Sequence, residues 1–142
     1  MPPKNKTSLA ISAELQAELD KRDDNFSGSV DRCLSRYFGL LARGRRELAA
    51  ILSDNEVALI LDTLNGTLMS DEHSAAFIPA EVSDAIRLNH LDEKWEVDGK
   101  ALMIKLSGLN HWLLTALADA SERWWIRVGE GENKLSPGEA LK

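Results

Sequence analysis

The sequence predicts a mainly α-helical protein with one short β-strand near its N-terminus. Apolar and polar residues alternate from Thr7 to Ile11, the pattern of a strand with one buried face. Beyond this stretch, apolar residues recur at the spacing of amphipathic helices through most of the 142 residues. With 44% hydrophobic and 28% charged residues, the composition is that of a globular protein and not of a disordered or membrane-embedded chain.

Two helices are predicted directly after the strand. Ser12 is a good N-cap for a brief first helix that carries Leu15 and Leu19 on one face. Ser27 is predicted to cap a longer second helix, whose apolar stripe consists of Val30, Leu34, Tyr37, Phe38 and Leu41. Gly44 and the arginines around it mark a module boundary near residue 46.

The pattern after residue 46 is helical throughout. Ser53 is predicted to cap a helix that ends at Asn65-Gly66, and Pro79 lies near the start of another. The clearest stripe of the chain consists of Leu109, Trp112, Leu113, Ala116, Leu117 and Ala120. We therefore expect an all-α domain over residues 47–128, followed by a flexible tail over residues 129–142.

Charge is distributed unevenly along the chain, whose formal net charge is −6. Residues 1–46 hold nine bases against six acids, whereas the remainder holds eight bases against seventeen acids. This asymmetry suggests a basic end for nucleic acid and an acidic end for another task. No stretch approaches the ~20 apolar residues of a membrane span, and the first residues lack the apolar core of a signal peptide, so we expect a cytoplasmic protein.

Two stretches, LAISAELQAELD and NFSGSVDRCLSRYF, follow the order strand, short helix, polar turn and longer helix. Over residues 1–46 this order resembles the ribbon-helix-helix superfamily of Arc and MetJ-like bacterial DNA-binding proteins. The resemblance implies an N-terminal ribbon-helix-helix unit, in which one strand from each subunit of a homodimer pairs into a two-stranded ribbon. Physical reasoning agrees, because a lone strand with two helices has an unpaired edge and too little core to be stable alone.

The paired ribbon is predicted to enter the major groove of double-stranded DNA. Its outer face would present Lys6, Ser8 and Ala10 to the base edges. The resemblance further implies that the start of the second helix clamps DNA phosphates. The phosphate-binding residues predicted on these grounds are Lys4, Ser27, Gly28, Ser29 and Arg32.

The predicted function is that of a sequence-specific DNA-binding protein, a transcriptional repressor that regulates its own gene as a homodimer or a higher oligomer. Two alternatives remain open: a DNA-binding accessory factor in plasmid transfer or partition, and an antitoxin-type module whose acidic part binds a basic protein partner. Catalysis has no visible motif, so no enzyme and no cofactor are expected.

Candidate ligand and partner residues of other kinds are few. Cys33 is the single cysteine, which excludes an internal disulfide and favours a small core residue over a nucleophile. The three histidines have no metal-ligand spacing. Trp112 is expected in the core, whereas the adjacent Trp124 and Trp125 cannot share one helix face, so that one of them is a candidate anchor for a partner.

Overall fold

A computed structural model of the chain describes residues 12–22, 25–64, 75–129, 131 and 136–142. The helices in these ranges are, in chain order, α1 (Ala13–Asp20), α2 (Phe26–Ile51), α3 (Asp54–Thr63), α4 (Ile78–Asn89), α5 (Leu91–Lys94), α6 (Gly99–Ser107), α7 (His111–Gly129) and a 3-10 helix (Pro137–Leu141). The chain divides into two compact units, residues 1–39 and 40–142, and the division falls inside α2.

The mainly α part of the predicted fold class is confirmed, whereas the ribbon-helix-helix part is wrong. Across the described ranges the regular secondary structure is helical, with no strand and no sheet. The predicted ribbon depends on a second strand from another subunit, whereas the helices of the described chain satisfy their backbone hydrogen bonds within themselves. The stretch from Thr7 to Ile11, on which the strand prediction rested, lies outside the described residues.

The first unit contains α1 and the beginning of α2. The Ser12 side chain accepts a hydrogen bond from the Leu15 backbone N–H at 3.2 Å, which confirms Ser12 as the N-cap of α1. Glu18 of α1 pairs at 2.9 Å with Arg22, which lies just after the end of the helix, and both side chains are on the surface. No residue of α1 is buried, so local caps and surface pairs hold this helix more than packing does.

The second unit holds the hydrophobic core of the described residues. The predicted stripe of the last long helix is confirmed, since Leu113, Ala116, Leu117 and Ala120 are buried in α7. The largest fully buried side chains are those of Leu41, Leu48, Val57, Leu59, Ile60, Leu61, Leu64, Ile78, Val82, Leu102, Leu106 and Leu117. This core joins the second half of α2 to α3, α4, α6 and α7.

Side-chain caps define where several helices of the second unit begin. Ser53 caps α3 as predicted, and Glu56 completes a capping box by accepting a hydrogen bond from the Ser53 backbone N–H at 2.9 Å. Asp98 caps α6, and Asn110 Oδ1 accepts from the Leu113 N–H at 2.8 Å at the start of α7. These caps satisfy backbone N–H groups that have no partner within the helix.

The C-terminal residues differ from the expected flexible tail. Pro137–Leu141 form a 3-10 helix that packs against α3 and α7, and Ala140 and Leu141 belong to the core. Gly138 lies against Asp54 so closely that a Cβ atom on Gly138 would overlap the Asp54 carboxylate. The end of the chain is therefore part of the packed unit.

The expected boundary near residue 46 is also not a break in the helix. Gly44 and its neighbouring arginines lie inside α2, which continues to Ile51. Gly44 is buried beside Ala116 of α7, so its small size serves close packing and not helix termination. None of the helices in the described ranges combines the length and the apolar character needed to cross a membrane.

Candidate functional site

The residues predicted to read DNA bases precede the first described residue, Ser12. Lys6, Ser8 and Ala10 lie outside the described residues, as does the predicted phosphate contact Lys4. The ribbon that was to present them belongs to the fold prediction that the structure corrects.

The start of α2 differs in detail from the predicted phosphate clamp. The helix begins at Phe26, and Asn25 Oδ1 accepts a hydrogen bond from the Gly28 N–H at 3.3 Å, as an N-cap does. The Ser29 side chain is 1% exposed and its hydroxyl donates to the Leu19 backbone carbonyl at 3.1 Å. Ser27 is exposed. The Gly28 amide and the Ser29 hydroxyl thus hold the α1–α2 turn together within the first unit.

The first unit exposes an apolar face on α2. We call Leu34, Tyr37 and Phe38 the apolar face of α2; they are 46%, 41% and 56% exposed, and residues three and four apart share one side of a helix. Leu15 of α1 is 57% exposed as well. Among the residues up to Gly39 whose side chains the structure describes, no apolar side chain is buried. Leu41 at the end of the predicted stripe is buried in the core of the second unit, whereas the described part of the chain leaves the apolar face of α2 exposed.

An arginine pair lies on the opposite side of the same part of α2. Arg32 and Arg36 are both exposed and are one helical turn apart. Arg36 is two residues from both Leu34 and Phe38, which places it about 200° around the helix axis from each of them. This part of α2 therefore has one apolar side and one cationic side.

The charge asymmetry of the sequence does not coincide with the two units. Residues 1–39 carry six bases and six acids, so the excess of bases in residues 1–46 comes from Arg43, Arg45 and Arg46. Arg45 lies 3.7 Å from Asp119 of α7, measured from its guanidinium to the carboxylate, and both side chains are largely buried. This arginine therefore contributes to packing of the second unit.

Asp119 is a largely buried carboxylate at the contact between α2 and α7. Burial raises the pKa of the Asp119 carboxyl, and the neighbouring charges of Arg123 and Arg45 only partly offset that effect. Its Oδ2 atom is buried and accepts no hydrogen bond from any described group. The arrangement is an ion pair at long distance inside one unit.

The remaining candidate residues have structural positions. Cys33 is half-buried on α2, and the described part of the chain contains no cluster of three or more metal-ligating side chains. Trp112 is half-buried and packs against the core. Trp124 and Trp125 are both half-buried, and the centroids of their rings are 4.6 Å apart. Trp125 donates its indole N–H to the Leu61 carbonyl at 3.2 Å. Trp125 therefore ties α7 to α3.

Comparisons with known proteins identify no relative. No family model, no curated protein and no solved structure matches this chain. The function is therefore inferred from the geometry of the chain itself.

Proposed function

We propose that this protein works as a homodimer and that the first unit is its association element. The carrying observation is the apolar face of α2, which is exposed although its residues keep the spacing of a buried helix stripe. The residues of the first unit whose side chains the structure describes include no buried apolar side chain, so this unit gains little free energy of folding from hydrophobic burial. Burial of this face against a partner would supply the hydrophobic stabilisation that the first unit lacks.

A second copy of the chain is the proposed cover. A face on which folding depends needs a partner that is present whenever the chain is made, and another copy meets this requirement at equal concentration. Leu34 and Phe38 lie one turn apart on α2. In a dimer with a two-fold axis, Leu34 of one copy can therefore pack against Phe38 of the second copy, and the reverse contact forms at the same time. Aromatic side chains such as Tyr37 and Phe38 are enriched in the cores of stable interfaces.

Sedimentation velocity of the full chain tests this proposal. We expect the wild type to sediment with twice the 15.7 kDa mass of one chain at micromolar concentration. Phe38→Ser should shift the equilibrium to monomer by at least about tenfold in Kd, because it removes a large apolar contact. The matched control is Leu88→Ser on α4, where another apolar side chain is 62% exposed. A monomeric wild type, or equal effects of the two variants, would contradict the proposal.

Binding of double-stranded DNA is a second proposed function, favoured by a different observation. Arg32 and Arg36 lie on the side of α2 that faces away from Leu34 and Phe38. A dimer formed through the apolar face would leave both arginine pairs outward, and arginines bind phosphate oxygens without regard to sequence. Regulation of a promoter, or an accessory role in plasmid transfer or partition, would follow from where such a dimer binds.

Fluorescence anisotropy with a labelled duplex from upstream of the gene, beside a scrambled duplex, tests DNA binding. We expect affinity to fall as salt rises, and the double variant Arg32→Gln, Arg36→Gln to lose about tenfold or more in affinity. Arg87→Gln, which changes an exposed arginine on α4, is the control. Preference for the upstream duplex would support a regulator, and equal binding of both duplexes an accessory role. Unchanged affinity of the double variant would reject the arginine pair as the contact.

A further inference from the structure

The second unit contains a groove between α4 and α6, which we call the α4–α6 groove. Its volume is about 750 Å³, and Asp92 of α5 and Val97 of the loop after α5 also line it. Ile86, Val97 and Met103 are half-buried along its floor, whereas Ile104 at its edge is 74% exposed. These four side chains line one groove, and a contiguous apolar surface bordered by polar residues is typical of protein-binding sites, whereas a single exposed apolar residue is not.

The groove is held in shape by backbone contacts. The Val97 N–H donates to the Asp92 carbonyl at 2.8 Å, which fixes the backbone of the loop that carries Val97, a lining residue of the groove. Gly99 lies against Ile86, since a Cβ atom on Gly99 would be 3.4 Å from Ile86 Cγ2. These contacts preorganise the residues that line the groove, so binding of a partner does not require a conformational change of the backbone there.

The charges around the groove are mainly acidic. Asp92 and Asp98 border it, and Glu93 and Glu96 belong to the same segment. Lys100 also borders the groove. Lys94 lies in the same segment, but its ammonium donates to the carboxylate of Asp62 on α3 at 2.7 Å, so its positive charge is already paired. An incoming chain therefore meets an apolar floor beside a net negative rim.

We propose that the α4–α6 groove binds a basic amphipathic segment of a partner protein. The apolar side chains of that segment would pack on Ile86, Met103 and Ile104, as in other helix-in-groove complexes. Its lysines or arginines would pair with Asp92 and with the acids of the neighbouring turn, which favours basic over acidic partners. The inference rests neither on dimer formation nor on DNA binding, because it uses residues of the second unit alone.

A peptide titration of the full chain tests the groove. The probe is a fluorescein-labelled synthetic peptide of about four helical turns, with leucine on one face and lysine on the other, compared with its counterpart that has glutamate in place of lysine. We expect the basic peptide to bind at least about tenfold more tightly, and its affinity to fall between about 50 mM and about 300 mM NaCl. Equal binding of the two peptides, or no binding of the basic one, would overturn the proposal.

Variants locate the binding surface. Ile104→Ser and Asp92→Asn should each weaken binding of the basic peptide by about fivefold or more. Leu88→Ser, an equally accessible change on α4 outside the groove, should leave the affinity unchanged. Amide chemical shifts of the labelled protein should change along α4, α5 and α6. Shifts confined to other elements, or a change of sedimentation in Ile104→Ser that marks the groove as a contact between copies, would overturn the assignment.

Discussion

Gly44 of α2 lies directly against Ala116 of α7. A Cβ atom placed on Gly44 would come within 2.7 Å of the Ala116 Cβ, closer than two carbon atoms in non-bonded contact. Both residues are buried. The second half of α2 therefore approaches α7 more closely than any residue with a side chain would allow, and the core of the second unit depends on this glycine.

Gly44→Ala is expected to destabilise the protein. Alanine has a better helix propensity by about 1 kcal/mol, but overpacking a tight contact costs about 1–3 kcal/mol and here exceeds that gain. Gly39→Ala in the same helix is the matched control, since no described heavy atom lies within 4 Å of its Cβ position. It should stabilise by about 0.5–1 kcal/mol. Urea unfolding of both variants measures the two changes, and equal shifts would contradict the packing argument.

Gly44 also illustrates the difference between what the sequence predicts and what only the fold determines. A glycine amid arginines is a typical helix end, and only the position of Ala116, more than 70 residues away, identifies Gly44 as a packing residue. Caps are local chemistry, so Ser12 and Ser53 were predicted correctly. Asn25 and Ser27 are both favourable caps close together, and the sequence alone favoured the wrong one.

The candidate surfaces were partly predictable for a similar reason. Helical periodicity predicted that Leu34 and Phe38 share one face, and the structure agrees. Periodicity does not distinguish a stripe covered by the same chain from one left for a partner, because both have identical spacing. The α4–α6 groove was not predicted, since it is formed by side chains from α4, α6 and the intervening loop that meet only in the folded unit.

The ion pair between Glu56 and Lys105 predicts how stability depends on pH. Burial raises the pKa of the Glu56 carboxyl, but hydrogen bonds from Lys105 and from the Ser53 N–H outweigh burial and hold the pKa below its ordinary value of 4.5. The unfolded chain therefore binds the proton more readily. This contribution to stability is present above pH 4.5 and is lost as the pH falls through the folded-state pKa.

Glu56→Gln should lower the free energy of unfolding at pH 7 by about 1–3 kcal/mol, because the 2.6 Å contact with Lys105 loses its charge. Its melting temperature should also vary less than that of the wild type as the pH falls below 4.5. Thermal unfolding over a pH series measures both effects. Glu47→Gln, at an exposed pair 3.7 Å from Arg43, should change stability by less than about 1 kcal/mol. Parallel pH curves for wild type and Glu56→Gln would exclude this role.

The packed C-terminus leads to a prediction about the last two residues. Leu141 is buried against the core formed with α3 and α7, whereas Lys142 beside it is exposed. Leu141→Ala should destabilise the protein by about 2–4 kcal/mol through lost burial and the cavity left behind, while Lys142→Ala should have little effect. Urea unfolding followed by tryptophan fluorescence measures this, because Trp125 lies on α7 and hydrogen-bonds to α3. If both variants unfold at the wild-type urea concentration, the final residues contribute nothing to the core, and the tail is as dispensable as its sequence suggests.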